Sequence, residues 1–237
     1  MEEKRPAKPL NRKAYGHIMH LPGSRMGPGD HRASEYQTKI CTTKLRDQHD
    51  EVIVQEKVDG SCVAVVKLEG QIIPLMRAGY IATTSPYEQH WLFADWVYTQ
   101  YNRFVNLLDD GQRVVGEWLA LAHSTKYTLK HEPFCPFDIM VEDRRIGFDD
   151  FIAKVVPGGF TPPKLLHRGP PISIGDALKL LGPGGHHGAL DQAEGMVYRV
   201  QRDGGIDFLT KYVRPDKVSG CYLPEITGDK PIWNWRP

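Results

Sequence analysis

The segment EKVDGS at residues 56–61 places a lysine, an aspartate and a glycine between two strand-like runs, VIV and VAVV. An ammonium group beside a core strand is costly to bury unless it is paired or used. Desolvation or a cationic neighbour lowers the pKa of a lysine, and the free amine of Lys57 would then be a nucleophile. On an extended chain Asp59 points the same way and is a candidate to hold a metal ion or a substrate group. Gly60 permits a turn and a close approach by a ligand.

The same short motif also fits an ordinary Lys–Asp pair in a surface turn, because short motifs often occur by chance. The rest of the chain favours chemistry, since further charged and aromatic residues lie in or at the ends of strand-like segments. They are Arg77 in LMRAGY, Glu117 in VVGEWLA, Phe137 in PFDIMV, Glu194 in AEGMVYR and Lys211 in LTKYVR. In this order and spacing they resemble the signature motifs of covalent nucleotidyltransferases. That superfamily comprises ATP-dependent DNA and RNA ligases and the mRNA capping guanylyltransferases.

The strongest resemblance is to ATP-dependent RNA ligases of the phage RNA ligase 2 type, from about residue 50 to about residue 217. It implies that Lys57 attacks the α-phosphate of ATP, releases pyrophosphate and becomes a lysyl-adenylate. The AMP would then pass to a 5′-phosphate end, and attack by a 3′-hydroxyl would seal the strand. The resemblance also implies Mg²⁺ or Mn²⁺ as the metal, and nucleic acid ends as the partner, with RNA favoured over DNA.

The resemblance assigns four residues to the nucleotide. Glu56 matches the residue that reaches the adenine amino group, and Phe137 matches the aromatic that stacks on the purine. Glu117 matches the carboxylate that holds the ribose hydroxyls, for which an acceptor-only group is a good partner. Arg77 matches an arginine near the sugar and the phosphates. Taken singly, each also fits a structural role, since Phe137 lies in an apolar stretch and Glu117 follows a glycine.

Three further residues are expected to act on the phosphates. Asp59 joins Lys57 in the catalytic motif, and Glu194 matches a carboxylate that binds the divalent metal ion, whose preferred ligands are oxygens. Lys211 matches a cation that stabilises charge developing on the α-phosphate. Two alternatives stay open: a capping-type guanylyltransferase that uses GTP, and a nucleotide- or RNA-binding protein that has lost turnover.

The last motif departs from the usual Lys-x-Lys pattern of the family. Either Val213 replaces the second lysine, or Lys211 is itself the second lysine and Leu209 replaces the first. Arg214 or Lys217 could then supply the missing charge by contacting nucleic acid.

A basic N-terminal segment, residues 1–32, is a further candidate for strand-end contacts through Arg25. It contains seven cations, Lys4, Arg5, Lys8, Arg12, Lys13, Arg25 and Arg32, against three acids. The net charge of the whole chain is only +1, which excludes a globally basic nucleic-acid binder but not a local basic face.

The overall composition is that of an ordinary soluble globular protein. Of the 237 residues, 41% are hydrophobic and 25% are charged. The four cysteines lie far apart without a CxxC pair, so neither a zinc site nor a disulfide framework is predicted. No long apolar run and no signal peptide is evident, which predicts a cytoplasmic protein without membrane contact.

Strand patterns dominate and closely spaced hairpins favour antiparallel sheets, so the predicted class is α+β. Hairpin turns are expected at Glu69-Gly70 and at residues 202–205. The resemblance implies two antiparallel sheets with flanking helices and a nucleotide groove between them. We expect residues 1–237 to form a single nucleotidyltransferase domain, with residues 218–237 as a short tail and no OB-fold or other C-terminal domain.

Several local features complete the prediction. Ser85, followed by Pro86 and by Glu88, predicts a helix start with a capping box. The apolar face of that helix is predicted to consist of Tyr87, Trp91, Ala94, Tyr98, Tyr101, Val105 and Leu108. Further helices are predicted at FDDFIAKVV and, capped by Ser173, at IGDALKLL. The segment GPGGHHG is interpreted as a mobile loop and not a metal site. The tail tryptophans Trp233 and Trp235 are expected to dock on the surface of the domain.

Overall fold

The computed structural model describes residues 8–237, so Lys4 and Arg5 of the basic N-terminal segment lie outside the described residues. The strands are β1 (Met19–His20), β2 (Asp50–Lys57), β3 (Ser61–Leu68), β4 (Gln71–Met76), β5 (Gln112–Trp118), β6 (Phe134–Val141), β7 (Arg144–Arg145), β8 (Leu165–Gly169), β9 (Gly195–Arg202) and β10 (Gly205–Val213). The helices are α1 (Glu35–Thr42), α2 (Glu88–Thr99), α3 (Tyr101–Leu107), α4 (Phe148–Val155), α5 (Ile174–Leu181) and α6 (Pro224–Thr227), with a 3₁₀ turn at Ala82–Thr84. The α+β class is therefore confirmed.

The first sheet has the strand order β1-β10-β9-β2-β8. Strand β2 ends at Lys57, which pairs with Gly195 at the start of β9, so Glu194 lies directly beside the lysine. All pairs in this sheet are antiparallel except β1 with β10, in which His20 is the partner of Lys211. This short parallel edge differs from the prediction, and it brings the N-terminal segment to the strand that carries Lys211.

The second sheet has the order β4-β3-β5-β6-β7 and is antiparallel throughout. The predicted turn between β3 and β4 is confirmed, because Glu69 and Gly70 both have positive φ angles, of 48° and 73°. Two consecutive positive φ angles are the signature of the two-residue turns that match strand twist. Pairing of β3 with β5 places Cys62 opposite Glu117, so the carboxylate lies near the turn that follows Lys57.

The helices cover the two sheets on separate sides. Helices α1 and α5 pack on the first sheet, where Ile40 and Leu181 contact a cluster that includes Val54 and Tyr198. The predicted cap of α5 is confirmed, since the Ser173 side chain accepts a hydrogen bond from the Asp176 amide. Helices α2 and α3 contribute to the other core, which is rich in aromatic residues.

The predicted helix start at Ser85 is wrong. Helix α2 begins at Glu88 with Tyr87 as its N-cap, and no side chain caps it. Ser85 bonds instead to Nδ1 of His90, at 2.6 Å, and accepts a hydrogen bond from the Tyr87 amide. The buried His90 ring therefore bonds to the Ser85 hydroxyl that the sequence pattern predicted to cap the helix.

The predicted apolar face of this helix is only partly right, since Ala94 and Leu108 are buried but three of its aromatic residues are exposed. Tyr87, Trp91 and Tyr98 are 44%, 49% and 49% exposed. Phe93, Trp96, Val97 and Phe104, which were not predicted to be on this face, are buried as well and pack in the cluster that contains Trp118 and Phe134 of the second sheet. Because the helix breaks at Gln100 into α2 and α3, one continuous 3.6-residue periodicity does not describe both halves.

The C-terminal tail docks on the domain, as predicted. The rings of Trp235 and Trp118 meet edge to face at 5.8 Å. The Asn234 side chain donates to the Leu119 carbonyl at 2.8 Å and accepts from the Tyr127 amide at 2.9 Å. Asn234 of the tail therefore links two parts of the loop that follows β5. Within residues 8–237, no helix combines the length and apolar character needed to cross a membrane.

Candidate active site

A cleft lies between the two sheets, and all six residues predicted to contact a nucleotide line it. They are Glu56, Lys57, Arg77, Glu117, Phe137 and Lys211. Their strands belong to both sheets, so closure of the sheets on one another brings together residues that are up to 155 positions apart in the chain. The cleft joins a charged end at Lys57 with an aromatic wall at Phe137, which suits a phosphorylated aromatic ligand.

Lys57 forms an ion pair at the base of the cleft. Its Nζ donates to Oε2 of Glu194 at 2.6 Å, and the two side chains are only 21% and 14% exposed. Burial lowers the pKa of Lys57, but the attraction of Glu194 and Glu117 outweighs burial and raises that pKa above its usual value. This corrects the expectation of a lowered pKa. The ion pair therefore favours the protonated form of the amine.

Two buried carboxylates face this lysine. Burial raises the pKa of Glu117 to about 7, although Lys57 opposes the shift. Burial also raises the pKa of Glu194, again against the attraction of Lys57. Oε1 of Glu117 accepts a hydrogen bond from the Gly60 amide at 3.2 Å, which fixes the carboxylate at the turn after β2.

The donor set at Glu194 suits a hard cation only if a substrate supplies further ligands. Among residues 8–237, no three His, Cys, Asp or Glu side chains converge so as to hold an ion. Mg²⁺ is commonly held by one or two carboxylates together with substrate phosphates and waters. Glu194 fits that pattern, because its carboxylate is largely buried beside Lys57 of the cleft. Burial raises the pKa of this carboxyl group, and a bound cation would lower that pKa again.

Asp59 does not line the cleft, although it was predicted to point the same way as Lys57. Strand β2 ends at Lys57, so the two-residue alternation does not extend to Asp59. Its Oδ2 accepts a hydrogen bond from the Ser124 amide at 2.7 Å, and its own amide donates to the Tyr127 hydroxyl at 2.9 Å. Asp59 therefore anchors the loop after β5, and it acts on Lys57 only through its charge.

The residues of the last motif differ in their relation to the cleft. Leu209 and Lys211 both line the cleft, whereas Val213 does not and is 6% exposed. This placement favours the register in which Lys211 is the second lysine and Leu209 replaces the first, which stays a prediction. Oδ1 of Asp30 lies 3.7 Å from the Lys211 amine. Burial and the nearby Lys57 lower the pKa of Lys211.

Replacement of Val213 by lysine is therefore expected to destabilise the protein by about 3 kcal/mol, because a buried unpaired charge is introduced. Leu209→Lys places the same side chain in the cleft and should leave the melting temperature closer to that of the wild type. Thermal melts of the two variants measure the difference. A stable Val213→Lys protein with faster nucleotide transfer would support the opposite register.

Two of the cations predicted to contact nucleic acid are bound within the protein. Lys217 is 7% exposed, and its amine donates to the Thr125 hydroxyl and to the Gln192 carbonyl, both at 2.7 Å. Arg214 donates to the carbonyls of Ala193 and Gly182. Neither cation can replace the missing lysine of the motif, since both hold loops together.

Arg25 lies beside the end of β10. Its amide donates to the Val213 carbonyl at 2.9 Å, and its guanidinium donates to the Ser219 hydroxyl. Its predicted contact with nucleic acid stays a prediction.

Glu56 is covered by the glycine-rich loop that the sequence pattern treated as mobile. The His186 amide donates to both oxygens of the Glu56 carboxylate, at 3.2 and 3.0 Å, and His186 Nδ1 bonds to Oε2 at 3.1 Å. Burial raises the pKa of Glu56, and His186 opposes that shift. The loop therefore covers the carboxylate that was predicted to reach the adenine amino group.

The sequence pattern missed the wall that the N-terminal segment contributes. Tyr15, Gly16 and Ile18 line the cleft, and the Tyr15 ring meets Phe137 edge to face at 5.1 Å. The Tyr15 hydroxyl donates to Asp138, which also pairs with the buried Arg199. No motif in residues 8–20 signals this role, because only the pairing of β1 with β10 brings the segment to the cleft.

The comparisons with known proteins agree with this geometry. The sequence model of a family described as RNA ligase matches residues 50–213. No curated protein sequence matches the chain.

Solved structures that resemble the chain include three of the Naegleria gruberi RNA ligase. A ligand-free mutant described as R4a has a TM-score of 0.56 at 14% identity, covering 89% of this chain and 61% of that one. A complex with PPi has a TM-score of 0.54 at 15% identity, with coverages of 97% and 64%. A mutant with ATP and Mn has a TM-score of 0.53 at 14% identity, with coverages of 89% and 61%. At such identities the likeness shows a shared fold, and the chain spans about three fifths of those proteins.

Proposed function

The chain belongs to the RNA ligase family, and from this premise we propose that it is an ATP-dependent polynucleotide ligase that works through a lysyl-adenylate. The observation that carries the proposal is the convergence of Lys57, Glu117, Phe137 and Lys211 on one cleft. A buried amine, an aromatic wall and a second cation are what AMP transfer to a lysine requires. That the Naegleria gruberi structures contain ATP with Mn, and PPi, supports ATP as the nucleotide.

In the first step a bond forms between Nζ of Lys57 and the α-phosphorus of ATP, and the bond to the β-phosphate oxygen breaks. Pyrophosphate leaves, and the amine gives up its proton. The Glu194–Lys57 pair opposes this step, because it keeps the amine protonated. A divalent cation held by Glu194 would neutralise phosphate charge and draw the carboxylate away from the amine. Lys211 would face the charge that develops on the α-phosphate.

In the two later steps the nucleic acid ends react. A 5′-phosphate oxygen attacks the α-phosphorus and the bond to Nζ breaks, so Lys57 regains its proton and AMP is carried by the strand end. A 3′-hydroxyl then attacks the 5′-phosphorus and AMP leaves. RNA is the favoured polymer, since the family description and the Naegleria gruberi titles both specify RNA ligase. Arg25, which lies beside the end of β10, is a candidate contact for the nucleic-acid strand.

Incubation with labelled ATP or GTP and a divalent cation tests the proposal. We expect a covalent AMP adduct, and sealing of nicked RNA in preference to matched DNA and hybrid duplexes. A GMP adduct alone would identify a capping-type guanylyltransferase. Tight nucleotide binding without any adduct would identify a binding protein that has lost turnover.

Replacement of Glu194 by alanine is expected to raise the concentration of Mg²⁺ or Mn²⁺ needed for half-maximal adenylation by at least about tenfold. Loss of even an outer-shell partner of a metal typically costs 10–100-fold in affinity. The measurement is the adenylation rate as a function of metal concentration. Asp95→Ala removes an exposed acid of α2 outside the cleft and serves as the matched control. An unchanged metal dependence in Glu194→Ala would remove this residue from the metal site.

A further inference from the structure

The amine of Lys211 has one carboxylate close to it, and this carboxylate comes from the N-terminal segment. Oδ1 of Asp30 lies 3.7 Å from Nζ of Lys211, and among residues 8–237 no other carboxylate lies within 4 Å of that atom. At this distance the contact is an ion pair and not a hydrogen bond, so it leaves the three N–H donors of the lysine for a phosphate. Asp30 lies outside residues 50–213, which match the family.

The Asp30 carboxylate is fixed by its own turn and by a buried histidine. The Gly27 amide donates to Oδ2 at 2.9 Å, and the Asp30 amide donates back to the Gly27 carbonyl at 3.2 Å. Nε2 of His20, whose side chain is 2% exposed, lies 3.1 Å from the same Oδ2. Oδ2 is therefore occupied from two sides, and Oδ1 is the oxygen that remains for Lys211.

His20 is itself bound to β10 beside Lys211. The two residues are partners in the pairing of β1 with β10. Nδ1 of His20 bonds to the Ser24 hydroxyl at 2.7 Å, and the oxygen of that hydroxyl accepts from the Val213 amide at 2.9 Å. Because the Asp30 carboxylate only accepts, the tautomer with hydrogen on Nε2 suits both contacts of the ring. The segment thus fixes Asp30 relative to the strand that carries Lys211.

The charges in the cleft show why Lys211 needs such a partner. Burial and the charge of Lys57 lower the pKa of Lys211, whereas the charges of Asp30 and Glu194 raise it. Glu194 is already paired with Lys57 at 2.6 Å, so Asp30 is the carboxylate left for Lys211. Lys211 lines the cleft and Asp30 does not. The acid therefore acts on the amine from outside the cleft lining, where it does not take the place of a phosphate.

Resting on the proposed function, we propose that Asp30 is a positioning residue that holds the ammonium group of Lys211 towards the α-phosphate. A cation stabilises developing charge best when it is already fixed where that charge will appear. Misplacement by about 1 Å can cost about 10²-fold in rate. The lysine side chain is a flexible four-carbon stem, so its amine is fixed only by a partner. Asp30 is such a partner, and it keeps the N–H donors available.

A double-mutant cycle tests the inference. We expect Asp30→Asn, which keeps the shape of the side chain, to slow single-turnover adenylation by about tenfold or more, with a much smaller change in ATP affinity. In a Lys211→Ala background the same substitution should have little further effect, because Asp30 acts through Lys211. Asp30→Glu restores the charge and should recover part of the rate. Asp95→Asn, at an exposed acid of α2 outside the cleft, is the matched control.

Amine-specific labelling of Lys211, located by peptide mapping, examines the contact without any reaction of ATP. Labelling should be faster in Asp30→Asn, because loss of the carboxylate favours the neutral amine. Thermal melts establish that the variants fold. If Asp30→Asn does not fold, Asp30→Ser, whose hydroxyl oxygen can still accept from the Gly27 amide, takes its place in the cycle.

A normal adenylation rate in the folded Asp30 variant would overturn the inference, and so would a slowing that is equally large in the Lys211→Ala background. A wild type that forms no adduct contradicts the proposed function. In that case the labelling still decides on the contact, since an unchanged reactivity of Lys211 in the Asp30 variant contradicts the inference by itself.

Discussion

Replacement of Lys57 by alanine or by arginine is expected to lower formation of the covalent AMP adduct by at least about 10³-fold. Alanine removes the amine that attacks the α-phosphate. Arginine keeps a positive charge beside Glu194 and Glu117, but a guanidinium does not lose its proton in a protein and cannot attack. The two variants therefore separate the nucleophile from the ion pair that Lys57 forms in the resting structure.

The variants should differ in stability in an informative way. Lys57→Ala leaves Glu194 without its 2.6 Å partner, so its melting temperature should fall, most at a pH where both buried carboxylates are ionised. Lys57→Arg should melt closer to the wild type. Lys179→Ala, which removes a lysine whose side chain is 80% exposed, is the control. An acid-labile AMP adduct in either Lys57 variant, mapped to another lysine, would show that the nucleophile lies elsewhere.

Loss of the Lys211 side chain is expected to slow adenylate formation by about 10²–10³-fold, while ATP binding weakens much less. A cation aimed at charge that develops during reaction lowers the barrier, whereas ground-state binding is spread over several contacts. The position of Lys211 supports this role, since it lines the cleft and lies near enough to Lys57 for their charges to interact.

Single-turnover adenylation of Lys211→Ala, with ATP affinity measured separately, checks this expectation. Lys211→Arg restores the charge and should recover part of the rate. Replacement of Lys44, an exposed lysine outside the cleft, controls for the loss of one positive charge. A normal rate in Lys211→Ala would remove this residue from the reacting centre.

Much of the fold follows from local patterns in the sequence. The hairpin at Glu69-Gly70 and the helix that begins after Ser173 both form as predicted. Each depends on neighbours within a few residues, which is the range over which turn and capping chemistry acts. The prediction at Ser85 is wrong although its competitor is also local, because His90, five positions along the chain, bonds to the hydroxyl that the capping pattern assigned to the helix start.

The sequence predicted the surroundings of the charged residues less well than it predicted turns and helix caps. Lys211 and Lys217 lie close together in the chain, yet one lines the cleft and the other is bound to Thr125 and Gln192. The alternation of side chains along β10 places Lys211 in the cleft, whereas the turn after the strand buries Lys217. Likewise Asp59 serves a loop, since β2 ends two residues earlier.

By itself, then, the sequence determined the class of fold, the family and six residues that line the cleft, because strand spacing and motif order are properties of the chain. Only the tertiary structure showed three further points: the ion pair of Lys57 with Glu194, the burial of Val213 beside a cleft lined by Lys211, and the contact of His186 with Glu56. Each depends on groups that are distant in sequence and adjacent in space: Lys57 and Glu194 are 137 positions apart, and Glu56 and His186 are 130 positions apart. Burial changes the energies of these charges, and burial is a property of the assembled sheets.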